Sequence, residues 1–452
     1  MNYRFGSKEI QQLYQAKLTS PEDAIKQHLH DAELLTFGCY AATPVALTKA
    51  LTQAAKSGFL TKPVKAFLFR SAAEIISMYR DVDVLKHIHL ILPFIGSEIG
   101  KLFELAKKHR NEIQYPEYTP SHFSLMEKGL LSHYGVPDVH MFQVSKMDKH
   151  GYFSFGLDGS FSIPMSQCAK QVIVEENPNF PFTYGAGLIH ISDVAGIVSH
   201  KSDLLTLPTK PASSVDKDIA NYILPFIHDN SCIQLGIGGV PNAVGEELKD
   251  KNDLGIHTEL LSDSQLKLIM NGNVTNKYKQ INRYHTVFNI TMMPDQTLYD
   301  AMDANPTILC YPASYVNDPN TIAKNDNMVS VNSFVEIDLF GQVSSESIAW
   351  HQITGTGGQV DFVRGARASK NGKSFLAAHS TVKGGSISKI VPKLNNIVTT
   401  ARTDVQYVVT EHGCANLEGL SNHERAQALI RLAAPEFREQ LIFEAKTMGL
   451  LA

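Results

Sequence analysis

A chain of 452 residues with one tryptophan, five cysteines and no CxxC pair lacks the materials of several protein classes. Cys39, Cys168, Cys232, Cys310 and Cys414 are widely dispersed and odd in number, which argues against a disulfide framework and predicts reduced thiols in a cytoplasmic setting. No apolar run approaches the roughly 20 residues of a membrane span. The opening MNYRFGSKEIQQLYQ has no apolar signal core, so a soluble, unprocessed, cytoplasmic protein is expected. Positive charge is not in excess either: 41 Lys and Arg against 45 Asp and Glu give a net charge of −4, no footprint for nucleic acid. The 18 histidines include the close pairs His28 and His30, and His87 and His89, but no HxxxH or HExxH, so no metal site is predicted.

What is present is an ordinary globular composition, 43% hydrophobic and 19% charged, in a chain too long for one core. The chain also repeats itself. Asp23-Ala24-Ile25, the apolar Leu34-Leu35-Thr36-Phe37 with Gly38, and Pro44-Val45-Ala46-Leu47 recur as Asp218-Ile219-Ala220, Cys232-Ile233-Gln234-Leu235 with Gly236, and Pro241-Asn242-Ala243-Val244. Each copy spells helix, strand, glycine turn and Pro-started helix. Between them, Leu207-Pro208-Thr209-Lys210-Pro211-Ala212-Ser213-Ser214 has linker composition. Two related α/β domains are therefore predicted, residues 1–207 and 208–452, with mostly parallel sheets and the active site between them.

Short apolar strands are expected at Val64–Phe69, His89–Leu92, Ile308–Tyr311, Met328–Val331, Phe375–Ala378 and Val405–Val409, with helices at Ala46–Lys56 and Ser97–His109. Ligands of such sheets sit at the carboxyl ends of strands. Two features fall there. One is the loop Gly236-Ile237-Gly238-Gly239-Val240-Pro241, whose glycines let backbone N–H groups gather around an anion. The other is Glu259, a lone carboxylate in the apolar segment Leu254-Gly255-Ile256-His257-Thr258-Glu259-Leu260-Leu261. His257 lies on the same strand side as Glu259 and reads as a structural group or a site neighbour. A third glycine cluster, Gly355-Thr356-Gly357-Gly358, leads into Gln359-Val360-Asp361-Phe362. Asp263, Glu336 and Asp338 are weaker acidic candidates.

Together these segments resemble the acetyl-CoA hydrolase/transferase family, and within it the 4-hydroxybutyrate and butyrate:acetate CoA-transferases. The resemblance runs nearly end to end, through Val144–Ser154, Val174–Pro181, Gln234–Val240, Gly255–Glu259, Tyr315-Val316-Asn317-Asp318-Pro319, Asn332–Asp338, Gly355–Phe362 and Val408–Gly413. It implies a ribose-phosphate-isomerase-like fold, Glu259 as nucleophile, and Gly238 and Gly239 as oxyanion donors. It also implies CoA contacts at Gly236, Ile237, Gly238, Gly239, Val240, Phe334, Gly357 and Lys383. Relatives have Ala in place of Phe334, Tyr in place of His412, and two lysines where this chain has Lys383-Gly384; a bulky Phe334 would narrow an acyl channel.

The expected reaction moves CoA between a short-chain acyl-CoA (4-hydroxybutyryl-, butyryl- or propionyl-CoA) and acetate, ping-pong, through a glutamyl-CoA thioester. The implied partners are acyl-CoA, short carboxylic acids and a second copy of the chain, with CoA as substrate and no permanently bound cofactor. An acyl-CoA hydrolase would use the same nucleophile. A non-catalytic CoA- or metabolite-binding regulator would keep the glycine loops without needing Glu259, and a sugar-phosphate isomerase has no motif in its favour.

Overall fold

A computed structural model of the chain describes residues 7–69, 73–208 and 211–452. The linker residues Thr209 and Lys210, and the start of the N-terminal segment, lie outside the described residues. The chain divides into two units. The first comprises Met1–Ser121, Leu125–Pro208 and Phe288–Ser314, and the second His122–Ser124, Thr209–Val287 and Tyr315–Ala452. The main division thus falls at the Pro/Ser-rich stretch, but two segments depart from a single cut at 207/208. Phe288–Ser314 packs with the first unit, where Leu309 and Cys310 pair in parallel with Tyr184 and Gly185. His122–Ser124 goes with the second, because Phe123 N–H donates to Gly357 O at 3.1 Å and Ser124 binds Asp361. Contacts made by so few residues leave no mark in composition.

In the first unit, β1 (Leu34–Phe37), β2 (Val64–Phe67), β3 (Ile88–Leu92), β4 (Glu117–Tyr118), β5 (Val139–Val144), β6 (Gln171–Glu176) and β7 (Gly196–Ser199) form one parallel sheet, ordered β7-β6-β5-β1-β2-β3-β4. Every residue of β5 is buried and all but one of β6, as expected of strands covered on both faces. In the second unit, β8 (Cys232–Leu235), β9 (Gly255–Leu261), β10 (Met328–Ser333), β11 (Lys373–Ala377), β12 (Tyr407–Thr410) and β13 (Gly413–Asn416) follow the order β13-β12-β11-β10-β8-β9, all parallel except β13. In both units the first strand is central, the next lies on one side of it and later strands on the other. The order therefore reverses beside β1 and beside β8, the place where open α/β sheets leave a crevice at their carboxyl ends. Among the described residues no helix is long and apolar enough to cross a membrane.

The repeat read from the sequence is thus a repeat of topology, and the register aligns it residue by residue. Phe37 and Leu235 each precede the glycine turn; Phe37 pairs with Met141 and Met141 with Ile173, as Leu235 pairs with Val331 and Val331 with Phe375. Two positions on, Glu175 corresponds to Ala377. That difference separates the two copies. Glu175 is fully buried and accepts from Val45 N–H at 3.0 Å and Leu47 N–H at 2.9 Å, the first turn of the helix Val45–Lys56. A carboxylate there satisfies orphan donors and complements the helix dipole. Burial nevertheless pushes its carboxyl up to about 7 against those bonds. In the second unit Ala377 has no carboxylate to offer, and the matching helix, Gly239–Glu247, receives none from that strand.

Replacing Glu175 with Ala should cost about 1–3 kcal/mol, since two buried N–H donors lose their partner. The midpoint of chemical unfolding, with loss of first-unit secondary structure, measures it; an unchanged midpoint would mean that water replaces the carboxylate without penalty.

Candidate active site

Glu259 lies on β9, which the capping box of Ser262 and Gln265 ends by starting the helix Asp263–Met270. His257 shares its side of the strand and is fully buried. The His257 Nε2 lies 2.8 Å from Val316 O, and the next residue, Asn317, donates from Nδ2 to Glu259 Oε2 at 2.6 Å. One strand face thus holds two consecutive residues, 316 through the imidazole and 317 through the carboxylate. Burial, with the charge of Lys279 nearby, pushes the His257 imidazole down to about 3, so it is neutral and serves as an anchor.

A second contact comes from the third glycine cluster. Gly358 caps the helix Gln359–Ala368, and its backbone, packed beside the Glu259 carboxylate, favours the ionised form. The packing is close enough that a Cβ on Gly358 would collide with Glu259 Oε2 and Asn317 Nδ2. Its φ of −100° is open to any residue, so space alone requires glycine here. Asp361, in the first turn of the same helix, is buried and accepts from Ser124 N at 3.1 Å and Ser124 Oγ at 2.7 Å. Removal from water pushes the Glu259 carboxyl up to about 7; the Asn317 amide opposes this, the Asp361 charge adds to it, and the Gly358 N–H opposes it. All of these groups belong to the second unit.

The first glycine loop is built differently. Gly238 has φ 138°, a backbone that side chains disfavour, and a Cβ there would lie 2.9 Å from Ser333 Oγ. Gly239 packs on the Asp216 carboxylate, which the Ser213 hydroxyl and His379 Nε2 hold at 2.6 and 2.9 Å. Gly236 abuts the Asn332 amide, part of a buried ladder in which Gln234 Nε2 donates to Asn332 Oδ1 at 3.1 Å and Ser330 Oγ donates to Gln234 Oε1 at 2.8 Å. The loop follows β8, next to β9, so it opens at the same sheet end as Glu259. Among the described residues, Asn317 donates to Glu259 and Gly358 packs on it; Gly238 and Gly239 face Ser333 and Asp216 instead.

The remaining predicted positions scatter. Ile237 is half exposed and Val240 buried. Gly357 has φ 59° and accepts from Phe123. Lys383 sits exposed, with φ 50°, at the turn between Thr381–Val382 and Ile387–Ser388. Phe334 is 4% exposed in a core with Ile337, Leu339, Val363 and Leu376. Its ring packs in that core. Asp338 is fully buried and accepts from Phe340 N and Gln342 N, Glu336 is held by Asn396, and Asp263 opens a helix beside Lys267; all three are structural. His412 lies 3.7 Å from Glu411 Oε1, whose carboxylate binds Ser380. The Gly357–Gly358 loop is an expected companion of Gly238–Val240 in supplying oxyanion N–H groups, whereas Asn317 has no expected role; its one signal is a polar Asn between Val316 and the helix-starting Asp318-Pro319.

Two family models match the chain: the acetyl-CoA hydrolase/transferase N-terminal domain over residues 2–207 and the C-terminal domain over 295–445. The chain belongs to the acetyl-CoA hydrolase/transferase family. The 4-hydroxybutyrate coenzyme A transferase of Clostridium kluyveri is 38% identical over 97% of this chain and 99% of its own. The butyryl-CoA:acetate CoA-transferase of Anaerostipes caccae is 36% identical, with 96% of each covered. The crystal structure of RipA from Yersinia pestis matches with a TM-score of 0.93 at 39% identity, over 98% of this chain and 99% of that one. The parallel α/β architecture is thus that of an acetyl-CoA hydrolase/transferase family member.

Two outcomes test the site of this family member. Gly358→Ala should lower kcat roughly a hundredfold or more by displacing one donor and the carboxylate beside it, with the helix signal in circular dichroism retained; near-normal kcat would mean the carboxylate does not need this contact. A nucleophilic carboxylate acts ionised, so with its carboxyl at about 7 the kcat/KM should rise with pH through that value and level off above it. A profile flat from pH 5.5 to 8.5 would show that Glu259 is not the titrating nucleophile.

Proposed function

We propose that this enzyme is a CoA-transferase that moves CoA between a short-chain acyl-CoA and acetate, with Glu259 as nucleophile. The observation that carries this reading is the asymmetry of the Glu259 carboxylate: Asn317 holds Oε2 at 2.6 Å, Gly358 packs against that same oxygen, and Oε1 is the oxygen assigned to attack. Oε1 adds to the thioester carbonyl, the C–S bond breaks, and an acyl-glutamyl anhydride and CoA thiolate result. The thiolate then adds to the Glu259 carbonyl carbon and the first acid leaves as a carboxylate. In that second addition the negative charge falls on Oε2, where the Asn317 amide already donates. An acceptor carboxylate reverses the steps and departs as its CoA ester.

Gly238 and Gly239 would serve the first oxyanion, and Gly236, Ile237, Gly238, Gly239 and Val240 would line the CoA phosphates or pantetheine at the end of β8, with Gly357, Lys383 and the Phe334 backbone as further contacts. The reversal of strand order beside β8 and the glycine-rich turn that follows it support CoA in this unit. The named relatives support butyrate or 4-hydroxybutyrate opposite acetate.

The test is to incubate the protein with butyryl-CoA without acceptor and to analyse the peptide bearing Glu259 by mass spectrometry. A CoA adduct is expected at Glu259 and none in Glu259→Gln, with ping-pong initial rates once acetate is added. Intersecting double-reciprocal plots, or turnover retained by Glu259→Gln, would contradict the mechanism. Rapid loss of butyryl-CoA with no acceptor would instead favour a hydrolase.

A further inference from the structure

Trp350, the one tryptophan of the chain, stands 62% exposed in the turn of the hairpin that pairs Ser347–Ile348 with His351–Gln352. The turn is strained. Ala349 and Trp350 have φ of 46° and 67°, the left-handed backbone that two-residue hairpin turns demand and that Asn-Gly ordinarily provides. Such conformations persist where surrounding structure enforces them, and they gather at ligand sites. The indole is also oriented, because Nε1–H donates to Asn395 Oδ1 at 3.0 Å. Beside it, Ile348 is 51% and Val398 42% exposed; Ile397 N–H donates to Ser347 Oγ at 2.9 Å, which lays the second segment along the hairpin. Lys393, two positions before Asn395, is exposed.

This hairpin is tied to the loop that touches Glu259. Glu346 is 4% exposed and accepts from Gln352 Nε2 at 2.7 Å, from Thr356 Oγ1 at 3.3 Å and from Thr399 Oγ1 at 2.8 Å. Thr356 precedes Gly357 and Gly358. One buried carboxylate therefore braces both the strand that follows the Trp350 turn and the glycine cluster packed on the Glu259 side chain.

We propose that Trp350 is a stacking platform for the adenine ring of CoA. The inference rests on the assignment of CoA to this unit. A flat aromatic with its N–H edge pinned, an apolar border and a nearby cation suits a planar heterocycle joined to phosphates, and CoA carries that group at the end opposite its sulfur. A long substrate that reacts at Glu259 needs such a contact on the same braced loop, away from the reacting carbonyl. Binding energy from that remote end helps to position the thioester.

Because Trp350 is the only tryptophan, its emission in the native protein reports on this turn alone. Titration with CoA and with adenosine 3′,5′-bisphosphate should quench or shift that emission saturably, and pantetheine should not. Trp350→Ala should raise the KM for butyryl-CoA roughly tenfold, in line with base–aromatic stacking, with kcat within about twofold and the Glu259 adduct still formed; Trp350→Phe should keep most of the affinity. Emission unchanged by CoA in a preparation that turns butyryl-CoA over would overturn the platform, as would emission that follows protein concentration, which would mark a surface covered by a second copy. Quenching by CoA in a preparation without transferase activity would support the platform and count against the transfer reading instead.

Discussion

The contact between the Glu259 carboxylate, the Asn317 amide and Gly358 is the constraint around which the second unit is arranged. A carboxylate withdrawn from water is costly unless donors meet it. Here burial, reinforced by the Asp361 charge and opposed by the Asn317 amide, pushes the carboxyl up to about 7. The supports extend outward from it. Val316 is held by a neutral histidine on the same strand, the glycine cluster by the helix it starts, and Asp361 by Ser124, which reaches the second unit from a distant part of the chain.

The duplicated topology places equivalent helix starts in the two units and fills them differently. Both helices after the first strand present N–H groups at the carboxyl end of a sheet. In the first unit the protein supplies its own anion, Glu175, to that place. In the second, the aligned residue is Ala377, and the loop before the helix is richer in glycine, with Gly238 in a backbone that a side chain would oppose. The two copies thus share strand order and differ in the acidic group beside the helix start: Glu175 from a strand in the first unit, Asp216 from the preceding helix, packed on Gly239, in the second.

Strain is placed where the loop must be held. The Ala349–Trp350 turn, the left-handed Gly357 and the sterically closed Gly358 lie within one short stretch, and buried Glu346 links it to Thr399. Few of these residues belong to long helices or strands, so side-chain hydrogen bonds to Glu346 do the work that a regular ladder does elsewhere.

The sequence by itself determined what depends on local order: the alternation of strand and helix, the repeat with its glycine turns, the division near Pro208, the glycine loop at the end of a strand, and Glu259 as an apolar segment's one carboxylate. Those features are encoded in neighbouring residues, and period and punctuation reveal them. The partners depend on contacts between distant segments. Asn317 lies 58 positions from Glu259, and Ser124 lies 237 from Asp361. Contacts between distant segments also place the Phe334 ring in a core with Val363 and Leu376, because burial is set by which faces meet and not by residue type. Phe288–Ser314 joined the first unit for the same reason: strand pairing between distant segments, such as Leu309 with Tyr184, is chosen by the fold and leaves no trace in adjacent residues.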